Sequence, residues 1–80
     1  MFKTDIEFSC NTLYIDIEGI INKKNLTNLK KKLYYIASEY SIGEVILNIQ
    51  KSKYIDQMAL YDFLDEYDEI YGGSITISDN

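Results

Sequence analysis

Residues Val45–Leu60, VILNIQKSKYIDQMAL, decide the fold. The stretch opens as a strand, Val45-Ile46-Leu47-Asn48-Ile49, apolar on both faces except at Asn48. That pattern fits a central strand with little solvent exposure. Gln50-Lys51-Ser52-Lys53 reads as a polar turn, and Tyr54-Ile55 is a short apolar step. Asp56 is a good helix N-cap, and Ala59/Leu60, Phe63/Leu64, Tyr67 and Ile70/Tyr71 then recur at helical spacing. The outer face of that helix is acidic, with Asp62, Asp65, Glu66, Asp68 and Glu69. A strand, a loop and an exposed helix start form the kind of junction at which a small α/β domain presents its site.

Upstream, Leu13-Tyr14-Ile15-Asp16-Ile17-Glu18 alternates strictly, the clearest strand in the chain. Before it, Phe2 and Asp5-Ile6-Glu7-Phe8 form a weaker strand, and Ser9-Cys10-Asn11-Thr12 is a polar turn of hairpin length. Gly19 ends the alternation. Asn22 and Asn25 are both acceptable caps for a helix whose stripe is Leu26, Leu29, Leu33, Ile36, Ala37 and Tyr40. Ser41-Ile42-Gly43 stops that helix, with Gly43 available for a left-handed residue. Downstream, Gly72-Gly73 stops the second helix and Ile75-Thr76-Ile77 is a last short strand. The order is β-β-α-β-α-β. Right-handed crossovers that keep moving the same way put both helices on one face of the sheet. The expectation is a single α/β domain over residues 1–80, a two-layer mixed four-stranded sheet with helices on one face.

Eighty residues bound what such a domain can do. A chain this short buries only about 60% of its extended surface, so a partner's added area matters. There is no histidine, which removes the usual general base, most zinc sites and any Ser-His or Cys-His nucleophile pair. Cys10 is alone, so no internal disulfide forms, and a plain thiol in a turn is favoured over a nucleophile. No apolar run is long enough to span a membrane and no signal peptide precedes the first strand, so a cytoplasmic protein without membrane insertion is expected.

The net charge of -5 is unevenly spread. Residues 1–50 carry six lysines and six acids, whereas residues 51–80 carry two lysines and seven acids. Such a chain repels phosphates, which argues against nucleic acid as a partner. The acids of the second helix are spread along one face and lack the compact loop of a calcium site, so a solvated or partner-facing surface is favoured over a metal site. Gly72-Gly73 follows a helix and is no phosphate cradle. With no room for a large pocket, no enzymatic activity, catalytic residue or cofactor is expected. Tyr40, Tyr67 and Tyr71 fall on the stripes as core-edge residues. Tyr14, Tyr34, Tyr35 and Tyr61 fall off them, and tyrosine favours interfaces, although eight of them also reflect an Asn-, Ile- and Lys-rich composition.

Three pieces, in order, resemble the STAS domain, the fold of bacterial anti-sigma factor antagonists. Ile17-Glu18-Gly19-Ile20-Ile21-Asn22 is similar to the family's L-x-G-x-L-D. Leu26, Leu29 and Leu33 follow like the leucines of its first helix. Val45–Leu60 lies without a gap on V-V-L-D-L-S-x-V-x-F-I-D-S-S-G-L. The resemblance covers about residues 12–77. It departs at D-S-S-G-L, where only Asp56 and Leu60 remain. Gln57 and Met58 replace the serines, Met58 at the phosphorylatable one, and Ala59 replaces the glycine. In the family, phosphate on that serine places about two negative charges at a helix N-terminus and breaks the complex with an anti-sigma kinase. Met58 accepts no phosphate. Ser52 is a substitute to consider, with an ordinary loop serine the favoured reading.

The resemblance thus implies an unswitched, non-catalytic protein-interaction domain. Its partner is another protein, either an anti-sigma or kinase-like factor or, alternatively, a transporter of which this is a soluble subunit. An acidic nucleic-acid mimic is a further alternative. The expected partner surface is Lys51, Ser52, Lys53, Asp56, Gln57 and Met58, extended along the helix by Tyr61, Asp62, Asp65 and Glu66. The family's third helix has no counterpart after Ile77, so a second copy or a partner is expected to cover the apolar surface there, and a homodimer is a corollary.

Overall fold

The computed structural model describes residues 2–40, 42–71 and 74–78. The elements are β1 (Phe2–Ser9), β2 (Thr12–Ile21), α1 (Lys23–Glu39), β3 (Glu44–Ile55), α2 (Gln57–Tyr71) and β4 (Ser74–Ser78). The sheet order is β1-β2-β3-β4, with β1 antiparallel to β2 and the other pairs parallel. Leu13, Ile15, Ile17 and Ile21 of β2 and Val45 and Leu47 of β3 are buried with Leu26, Leu29, Leu33, Leu60, Phe63 and Tyr67 in one cluster. Both helices therefore sit on a single face, as the β-β-α-β-α-β order requires. The opposite face carries Tyr14 and Asp16, which are exposed.

The hairpin turn is two residues long. Cys10 (φ 50°) and Asn11 (φ 64°) are both left-handed between paired Ser9 and Thr12, the geometry that matches the twist of the flanking strands. Asn22 caps α1, its side chain accepting the Asn25 amide at 2.8 Å. Asn25, the other candidate, instead donates from Nδ2 to the Ile20 carbonyl at 2.9 Å, which ties the helix start to the end of β2.

Three expectations need correction. The helix ends at Glu39, and Tyr40 is an extended C-cap, 58% exposed, rather than a core-edge residue. Its ring lies against that of Phe8, with centroids 5.9 Å apart. Gly43 does not supply a left-handed stop. Its amide donates to the Asn11 carbonyl at 2.9 Å, and a side chain there would collide with that of Asn11. Gly19, where the sequence alternation ends, lies inside β2 with φ 102°. Gln50–Lys53 is strand, so β3 runs unbroken to Ile55. Gly72-Gly73 and the side chain of Tyr71 lie outside the described residues. Leu26, Leu29, Leu33 and Tyr67 are buried as their spacing implies, and Tyr14, Tyr35 and Tyr61 are exposed.

Candidate functional site

The junction after β3 is built by two irregularities in its pairing with β2. From Asp16 to Glu18 the partner moves from Asn48 to Lys51, and from Gly19 to Ile20 it moves from Ser52 to Tyr54. At each step β3 spends one residue more than β2, which is the definition of a bulge. Asn48, the polar exception in an apolar strand, stabilises the first bulge: its Oδ1 accepts the Gln50 amide at 3.0 Å. Gly19, opposite the second bulge, supplies the positive φ that the backbone needs there. Alternation is therefore out of phase only between the bulges, where Ser52 faces inward, and returns to its first phase at Ile55, so the polar residues 50–53 disguise a strand as a turn.

The chain then passes directly into α2. The Asp56 amide donates to the Ile21 carbonyl at 2.8 Å, and Asp56 Oδ1 accepts the Ala59 amide at 3.2 Å. Asp56 is thus the N-cap anticipated from sequence, half-buried and engaged in holding the junction. Gln57 and Met58 lie in the first turn, and Met58 is 78% exposed. Tyr61, three residues on, is 60% exposed on the same side of the helix. Asp62 and Asp65 are exposed on the outer surface of α2, and Lys51 and Lys53 are exposed on the last part of β3.

Ser52 is placed differently from its neighbours. It faces inward opposite Gly19, and its Oγ is buried without a hydrogen-bond partner. Its hydroxyl is not presented to a partner or a kinase. Glu66 is drawn aside by Lys30 of α1, whose ammonium pairs with Glu66 Oε2. That hydrogen bond holds the Lys30 pKa above its ordinary value, against a smaller opposing effect of burial.

Tyr54, 59% exposed at the end of β3, belongs to the junction but was absent from the expected surface. The polar residues 50–53 before it conceal its place on the strand. A groove of about 340 Å³ separates the helices, with Leu26, Ala59 and Phe63 in its floor, Lys23 and Lys30 on one side and Asp62 and Glu66 on the other. Among the described residues, no group of three Asp, Glu or Cys side chains is placed to hold a metal ion, and no helix is long and apolar enough to cross a membrane.

No family model matches the chain, and no curated protein matches it in sequence. Solved structures match its fold. The unphosphorylated anti-sigma factor antagonist SpoIIAA aligns over 96% of this chain and 71% of its own, with TM-score 0.69 and 14% identity. The STAS domain of an antisigma-factor antagonist from Rhodobacter sphaeroides aligns over 98% of this chain and 86% of its own, with TM-score 0.67 and 13% identity. The structure described as Mglu aligns with TM-score 0.75 and 15% identity over 95% of this chain, which spans only 19% of that one. The fold is that of STAS domains, as the resemblance at Val45–Leu60 implied.

Proposed function

We propose that this chain is a non-catalytic protein-interaction domain that docks through the β3–α2 junction and is not switched by phosphorylation there. The observation that carries the proposal is Met58. It stands 78% exposed in the first turn of α2, where the family pattern has its phosphorylatable serine. An exposed methionine is an adaptable apolar contact and accepts no phosphate. Lys51, Lys53, Gln57, Tyr61, Asp62 and Asp65 surround it as the contact surface, while Ser52 and Asp56 support that surface from within. The partner class is a protein such as an anti-sigma or kinase-like factor.

Met58→Asp, at an exposed site, leaves the fold intact and places one charge in the middle of the surface. In a two-hybrid or pull-down screen, the wild-type bait is expected to capture a protein that the variant loses. Equal capture of every partner by both baits would sink the proposed surface.

A further inference from the structure

Among the described residues, β1 is an edge strand, paired with β2 along one side and with no strand along the other. The hairpin decides which backbone groups this leaves open. Across a two-residue turn the flanking pair, Ser9 and Thr12, is hydrogen-bonded, and bonded and non-bonded pairs then alternate along the ladder. Glu7, Asp5 and Lys3 therefore bond to β2, whereas Phe8, Ile6, Thr4 and Phe2 turn their N–H and C=O groups to the open edge. Among the described residues, no backbone bond from a loop or turn reaches those four.

The side chains of the same four residues face the helix layer, while Lys3, Asp5 and Glu7 are exposed on the other face. Beside the open edge, between β1 and α1, lies a groove of about 380 Å³ lined by Ile6, Lys31, Lys32, Tyr35 and Ile36. Lys32 borders it, its Nζ donating to Thr4 Oγ1 at 3.4 Å. The rim is cationic in an otherwise acidic chain, because α1 carries five lysines and no acid before Glu39. Lys30 is paired with Glu66, but among the described residues no carboxylate pairs with Lys31 or Lys32.

We propose that the open edge of β1 and the β1–α1 groove together receive an extended acidic segment of a partner protein, which adds as a further strand to the sheet. Addition of a strand to an exposed edge is a recurrent mode of recognition, in which main-chain bonds give affinity and alternate side chains give specificity. Here the alternate side chains enter the groove, where apolar ones cover Ile6 and Ile36 and acidic ones meet Lys31 and Lys32. A second copy of this chain is a poor occupant. Antiparallel pairing of two β1 strands about Ile6 sets Asp5 of one copy beside Glu7 of the other on one face, and brings the α1 lysines of both together on the other face. An anionic membrane would meet the lysines but leave the edge bonds unmade. β2 separates the site from the β3–α2 junction, and the inference does not rest on the function proposed above.

The test is selection of peptides by the purified chain from a phage-displayed library of random octapeptides, followed by hydrogen exchange measured by NMR with the enriched peptide. Enriched sequences are expected to alternate acidic or apolar residues with others and to lack proline. Lys31→Glu/Lys32→Glu is expected to weaken the enriched peptide by at least about tenfold, and Lys31→Gln/Lys32→Gln by less. Both pairs are exposed, and circular dichroism checks their fold. N-methylation of one alternate set of peptide amides is expected to abolish binding, and of the other set to leave it. Bound peptide is expected to slow exchange at the Thr4, Ile6 and Phe8 amides and to leave Asp5 and Glu7, already bonded to β2, unchanged. A library that yields no binder, even where the lysines hold phosphatidylserine vesicles, would overturn the proposal. So would a peptide indifferent to the lysine variants, exchange that slows nowhere along β1, or a free chain whose Thr4, Ile6 and Phe8 amides are already protected by self-association.

Discussion

Ser52 lies opposite Gly19 across the parallel β2–β3 pair, with its hydroxyl oxygen buried and without a hydrogen-bond partner. A buried hydroxyl that makes no bond forfeits its hydration without compensation, at a cost of about 1–3 kcal/mol. Ser52→Ala removes that cost and very little packing. Urea denaturation is expected to show a variant as stable as the wild type, or up to about 1 kcal/mol more stable. A clear loss of stability would mean that the hydroxyl has a partner.

The junction depends on Asp56, which caps α2 through the Ala59 amide. Asp56→Ala leaves that amide unsatisfied and is expected to cost about 1 kcal/mol, whereas Asp56→Asn keeps an acceptor and costs less. Asn22→Ala at the start of α1 should behave alike, because the Asn25 amide loses its acceptor. Thermal denaturation of the three variants orders them.

The hairpin carries removable strain at Cys10, whose φ is 50°. A left-handed conformation costs an ordinary side chain about 1–2 kcal/mol, and asparagine tolerates it better. Cys10→Asn is therefore expected to stabilise the chain by about 0.5–1 kcal/mol, read as a higher urea midpoint with an unchanged slope. An unchanged midpoint would show that Cys10 is not strained.

The Lys30–Glu66 pair contributes through charge, and Lys30 titrates above its ordinary value of 10.5 because of it. A raised lysine pKa gives stability that is complete at neutral pH, below the unfolded value. That stability is lost as pH rises through the folded value. Both groups are partly exposed, which limits the pair to no more than about 0.5 kcal/mol. Glu66→Gln should lower the melting temperature slightly at pH 7, and the difference should vanish above the lysine range. A difference that persisted there would point to packing rather than charge.

Several parts of the fold could be read locally. The alternation of Leu13, Ile15 and Ile17 and the spacing of Leu26, Leu29 and Leu33 each report a buried face. The caps Asn22 and Asp56 are short-range chemistry, as is the two-residue turn. The candidate site was legible at Met58, Tyr61 and Asp62, since helical spacing places them outside the stripe. It was not legible at Gln50–Lys53, where polar side chains form strand because β2 supplies their backbone hydrogen bonds. Nor was it legible at Tyr54, which the polar run Gln50–Lys53 separates from the apolar part of the strand.

The sequence by itself determined the order β-β-α-β-α-β, the faces that are buried and the absence of a phosphate-accepting side chain at residue 58. Periodicity and residue identity suffice for these. Tertiary structure alone decided that β3 extends through a polar segment, that Ser52 turns inward against Gly19, and that Tyr40 stands in solvent. It also set Lys30 of α1 against Glu66 of α2 across the groove between the helices. Strand partners, bulges and helix placement are long-range relations, and no window along Val45–Leu60 contains the β2 residues that set them.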